Sequence, residues 1–114
     1  MSDSIKPTPG PWSVCEHSWC ETSIRAPSTD HALCRLDINH ATEESQEADE
    51  AQMAANARLM AAAPELLEAA KLVLEWYEAE DNHSGTDFYQ RMQMCRDSED
   101  AIRAAIAKAT GEQT

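Results

Sequence analysis

Five side chains in the first third of this 114-residue chain carry atoms that metals and electrophiles seek: Cys15, His17, Cys20, His31 and Cys34. Thiolate and imidazole are preferred zinc donors, and four of these residues could close a tetrahedral site. Their spacing argues against it. A structural zinc site pairs its cysteines in short knuckles, whereas Cys15 and Cys20 are five apart and Cys34 stands alone. The expectation is therefore no metal and no other cofactor, with a zinc-stabilised interaction module on these five residues as an alternative. A nucleophilic pair such as Cys15 and His17 lacks the glycine-rich elbow or oxyanion loop that such chemistry uses. The chain has only three glycines, all in turn-like contexts, so no phosphate-cradling loop is written. Glu43, Glu44, Glu47, Asp49 and Glu50 form the densest acidic run, but at a helix start, where acids suit the positive end of the dipole. A catalytic carboxylate pair needs a pocket that separates its two pKa values, and nothing marks one. The chain reads as a non-enzyme.

Binding is the remaining chemistry. The net charge is −12, and residues 41–114 carry sixteen acids against six bases. Such a surface repels phosphates, so DNA and RNA are excluded as expected partners. The same field steers basic partners inwards and can imitate a phosphate backbone. Exposed aromatics beside acids make protein-binding anchors. The candidate partner-binding residues are thus Trp19, at an expected hairpin turn, and Trp76, together with the acidic run at positions 43–50. A second reading, sequestration of a small ligand such as a nucleotide signal, needs cations that converge on a phosphate. Arg25, Arg35, Arg58 and Arg96 are the candidate suppliers.

These residues must be positioned by a small fold. At 12.6 kDa the chain reads as a single domain over residues 1–114 with one modest core. Its start, MSDSIKPTPGPW, lacks the apolar segment of a signal peptide, and no apolar run approaches the ~20 residues that span a bilayer. A cytoplasmic location in a reducing compartment follows, with no membrane partner and with free thiols. Residues 1–10 read as an extended lead-in and Trp12 as the first core residue. Trp12–His17 and Cys20–Arg25 alternate apolar and polar residues at the period of a strand. Ala26–Asp30 is a turn cluster. From His31 to Ile38, Ala32, Cys34, Leu36 and Ile38 share one face and Leu33, Arg35 and Asp37 the other. If Trp12 and Val14 face inwards, Cys15 and His17 point out while Cys20 and Cys34 face in. A lone three-stranded meander is marginal and needs a helix against its apolar face.

Helix is expected from about Glu44–Glu47 onward, with a kink or break at Ala63, because Pro64 disfavours the α conformation before it and suits the first turn of a new helix. The second helix carries Leu67, Ala70, Leu74 and Tyr77 beside a neighbouring stripe of Leu66, Val73 and Trp76, a face wider than one small sheet needs. Thr86 or Asp87 is the expected N-cap of a last helix, in which Phe88, Met92, Cys95, Ile102, Ile106 and Ala109 recur at heptad-like positions with Glu99 interrupting the seam. Gly111 is placed to end it. The two helices, residues 64–80 and 87–109, should form an antiparallel hairpin whose broad apolar faces favour a homodimer.

Three segments carry a resemblance. Thr8-Pro9-Gly10-Pro11-Trp12, the stretch NARLMAAAPELLEA from Asn56 to Ala69, and RAAIAKATG from Arg103 to Gly111 resemble a widespread group of small proteins encoded by tailed bacteriophages and prophages. The resemblance covers about a quarter of the chain. It implies a phage accessory protein made inside a bacterium, with a short β-rich N-terminal part followed by helices, and it transfers no catalytic residue. The chain departs from the group's pattern between Val14 and Cys34.

Composition, pattern and resemblance converge on one expectation. The fold is α+β: a short three-stranded antiparallel sheet at residues 11–39 packed on two or three helices at residues 45–110. The function is that of a non-catalytic phage accessory protein that binds a host protein, as an inhibitor of a host defence or regulatory system.

Overall fold

The computed structural model describes residues 6–38, 44–82 and 85–112. Three strands form an antiparallel meander in the order β1 (Ser13–Ser18), β2 (Glu21–Arg25), β3 (Cys34–Asp37). The register pairs Val14 with Ile24 and Ile24 with Cys34, so these three side chains lie in one row on one face. The pairing shifts between Glu16 and Ser18, where β1 approaches its turn. Three helices follow: α1 (Gln46–Ala61), α2 (Ala63–Asn82) and α3 (Phe88–Thr110).

The apolar row meets α1. Ile24, Ala57 and Ala61 form the buried centre, and Trp12, Val14, Leu33, Cys34 and Leu36 pack around it. Met53, Ala57 and Ala61 are four residues apart, so they stack on one side of the helix. Alanine at two of these positions lets the helix lie close on the sheet, and Ile24 is the largest side chain fully enclosed. The core is therefore thin. α1 covers the strands, while α2 and α3 pack against each other and against α1.

The break at Pro64 is observed. Ala62 ends α1 in a helical conformation, with its N–H shared between the Arg58 and Leu59 carbonyls, and α2 starts at Ala63 with Pro64 in its first turn, where the missing N–H costs nothing. At the start of α3, the Asp87 carboxylate accepts from the Gln90 N–H at 2.8 Å while the Gln90 side chain accepts from the Asp87 N–H at 2.8 Å. This reciprocal capping box satisfies two N–H groups that a helix start leaves without partners. Gly111 ends α3 with φ 75°, a left-handed conformation that glycine adopts without strain. An ion pair from Arg91 to Glu80, at 3.1 Å, ties the two helices beside their connection.

Two details depart from the sequence reading, and the wide apolar face of α2 is covered unevenly. The third strand begins at Cys34 rather than near His31, so Leu33 does not alternate outward; it packs on the core, its N–H donating to the Ile24 carbonyl at 2.7 Å. Cys20 sits in the β1–β2 turn beside the Ser18 hydroxyl, at 3.4 Å, instead of on the inner face of a strand. In α2 only one of the two apolar stripes is covered: Ala69 is buried and Leu66, Val73 and Trp76 half-buried, while Leu67, Leu74 and Tyr77 are exposed.

The three segments that carry the resemblance meet at one junction. A Cβ on Gly10 would lie 2.8 Å from the Pro64 Cβ, so the lead-in crosses α2 where only glycine fits. Lys108 Nζ donates to the Trp12 carbonyl at 2.9 Å and to Glu65 Oε1 at 3.0 Å, joining lead-in, α2 and α3. Trp12 Nε1 donates back to the Thr8 carbonyl at 3.0 Å. Gly111 lies against Arg58, whose Nε would be 2.7 Å from an added Cβ. These three segments are thus joints of the fold.

Candidate functional site

Between the β1–β2 turn and the N-terminal half of α1 lies an open cleft of about 620 Å³. One wall is Glu16, His17, Ser18 and Trp19 with Thr22; the other is one side of α1, including Glu47, Glu50, Met53 and Ala54. The turn places Trp19 at its tip with about half of its surface exposed, 51 %. Glu47 and Glu50 are three apart on α1 and so rise from the same helical face. Gln46 Nε2 donates to Glu50 Oε1 at 3.1 Å, which fixes that carboxylate. His17 Nε2 and the buried Ser23 hydroxyl are hydrogen-bonded at 2.8 Å, which steadies the turn.

Among the described residues the lining holds three carboxylates and an indole, and no lysine or arginine. Such a surface suits a cationic side chain, because a guanidinium or ammonium can lie on the indole face while carboxylates accept its N–H groups. A row of two or more basic residues would use the length of the cleft. An anion would meet repulsion from both walls.

The structure brings together Trp19, Glu47 and Glu50 of the predicted partner-binding set, and it adds Glu16, which sequence reasoning missed. Glu16 stands thirty-one positions before Glu47, and only strand pairing and helix docking make them neighbours. Glu44 is exposed ahead of α1, Asp49 borders a different depression with Leu36, Asp37 and Asn56, and Trp76 belongs to the α2–α3 pair. Glu43 lies outside the described residues.

The other two constellations are dispersed. Cys15 pairs with Ser23 in the register while Cys34 pairs with Ile24, so the two thiols point to opposite faces of the sheet. His17 is held by Ser23, Cys20 sits in the turn, and His31 is exposed in the loop before β3. Among the described residues no three His, Cys, Asp or Glu side chains are grouped to hold a metal ion. Of the arginines, Arg25 ends β2, Arg35 pairs with Glu21 at 3.7 Å, Arg58 packs under Gly111, and Arg96 is exposed on α3. They occupy four separate elements. Among the described residues, no helix is long and apolar enough to cross a membrane.

Fold and cleft define a small α+β protein whose most distinctive surface is an acidic cleft capped by an aromatic ring. The family described as Salmonella phage P22 protein Y8K6 matches residues 1–113 of the chain, and the chain belongs to that family. It is a small phage protein. Comparison with curated proteins and with solved structures gave no match.

Proposed function

We propose that this phage protein acts without catalysis, by capturing a basic segment of a host protein in the cleft beneath Trp19. The observation that carries the reading is the meeting of an exposed indole with Glu16, Glu47 and Glu50 across two elements remote in sequence. The net charge of −12 supports it, because a field of that sign draws in a basic partner and accelerates encounter. Membership of a phage family supports a bacterial host protein as the target; on this reading it is a defence or regulatory protein with a Lys- or Arg-rich segment of the kind that holds nucleic-acid phosphates.

Titration calorimetry with a short Lys/Arg-rich peptide tests the reading. The wild-type chain should bind it, with affinity falling as salt rises because the contacts are ionic and largely solvated. Trp19→Ala and the double change Glu47→Gln/Glu50→Gln should each weaken binding by about tenfold or more, the scale of losing one anchoring contact. Equal binding by all three proteins would refute the site.

A further inference from the structure

Away from the acidic cleft, α2 and α3 border a groove of about 450 Å³ lined by Val73, Trp76, Tyr77, Cys95, Ile102 and Ile106, with Ser98, Glu99 and Arg103 at its side. Tyr77 and Ile106 are about half exposed, 57 % and 49 %. The helical spacing extends this face beyond the groove: Leu74 lies three residues before Tyr77, and Met92 and Phe88 continue the α3 stripe at steps of three and four from Cys95. All three are exposed. α2 therefore carries two apolar stripes of which one is covered, and α3 sets the exposed side chains of Phe88, Met92 and Ile106 beside the uncovered one.

We propose that a second copy of this chain covers the exposed stripe, with the two α2–α3 hairpins stacked face to face as a four-helix bundle. α3 already meets α1 as well as α2, so the stripe without a neighbour is the one on α2; in a four-helix bundle each helix touches two neighbours and such a stripe is covered. The dimensions leave room for this occupant, the excess belonging to the whole elongated molecule of 59 × 37 × 20 Å. The radius of gyration is 18.4 Å, against about 13 Å for a compact chain of this length. The accessible surface is 8218 Å², about 2,000 Å² more than a compact monomer of this mass exposes. A standard interface takes about 800 Å² from each partner, so one such contact falls well within the excess.

Charge selects a copy over a basic partner here. The groove holds one acid and one base, Glu99 and Arg103, already paired on one helix at 2.7 Å. That contact, by hydrogen bond and by charge, raises the Arg103 pKa above its ordinary value. The groove is thus locally neutral in a chain of charge −12, and two copies can meet across it there, with Glu78 and Asp81, four residues after Leu74 and Tyr77 on α2, at the edge of the neutral area. The acidic cleft offers no such self-complementarity.

Sedimentation equilibrium of the full chain from about 1 to about 100 μM is the test. The expected mass is twice 12.6 kDa over the upper part of that range. Ile106→Lys and Tyr77→Asp change side chains exposed in the single chain, so circular dichroism should show retained helix while the dimer dissociation constant rises by at least about tenfold. A monomer at every concentration overturns the proposal. So does a dimer that both folded variants leave unchanged, since it would use another face. If a variant loses its helix, cross-linking of copies that carry a photoreactive residue in place of Leu74 decides: a cross-link to α2 or α3 of the second copy supports the bundle, and one elsewhere or none refutes it.

Discussion

Lys108 is the single side chain whose loss should tell most about how the fold is joined. Its ammonium reaches the Trp12 carbonyl at 2.9 Å and Glu65 Oε1 at 3.0 Å, and its side chain is 31 % exposed. Lys108→Met keeps the apolar stem and removes three N–H donors, leaving the carbonyl and the carboxylate without this partner. A hydrogen bond to a charged group contributes about 1.5–3 kcal/mol when shielded. Both partners here are roughly a third exposed, and water replaces part of the lost interaction, which brings the expected loss to about 1–2 kcal/mol. For a domain of this size that lowers Tm by about 5–10 °C. The assay is thermal unfolding followed by far-ultraviolet circular dichroism, at one fixed protein concentration so that any association contributes equally. Lys71→Met is the control, because Lys71 and Glu68 stand 3.9 Å apart with both side chains well exposed. Glu65→Gln combined with Lys108→Met should cost less than the sum of the two single changes, since both remove one contact. If Lys108→Met melts with Lys71→Met, the junction of lead-in, α2 and α3 does not hold the molecule as argued.

Other substitutions probe other joints. Gly111→Ala should destabilise by about 1–2 kcal/mol in the same melt, because φ 75° is costly for a residue with a Cβ and that atom would press on Arg58. Asp87→Ala removes a capping box and should cost about 1 kcal/mol, with Asp87→Ser recovering most of it. Trp19→Ala should leave unfolding within about 0.5 kcal/mol of wild type, since the ring is half exposed at a turn, while abolishing most peptide binding; a large stability loss would instead make Trp19 a core residue.

Local chemistry is the part of this fold that its sequence makes legible. Pro64 after alanines breaks a helix through its own ring, Asp87 caps one through atoms a few residues apart, and Gly111 ends one through its missing Cβ. Alternation around Val14 and Ile24 announces the meander. The start of β3 escapes the same reading because the pattern from His31 to Cys34 also alternates, yet the chain there is still leaving its turn, and Leu33 reaches the core from outside the strand. Nor can periodicity say which stripe of α2 is covered, since Leu67 and Leu66 are equally apolar and only the approach of α3 separates them. The site is legible in parts. Trp19 stands out as an aromatic at a turn, and Glu47 and Glu50 as acids at a helix start. Their union with Glu16 depends on docking α1 across the sheet, a meeting of distant segments that no local signal encodes.

The most direct test of the account is amide and indole chemical-shift mapping of the isotope-labelled chain as a Lys/Arg-rich peptide is added. Shifts should concentrate at residues 16–22 and 47–54, led by the Trp19 indole N–H, with α2 and α3 unmoved. Shifts centred on the α2–α3 groove, or none at a peptide excess, would contradict capture of a basic segment beneath Trp19.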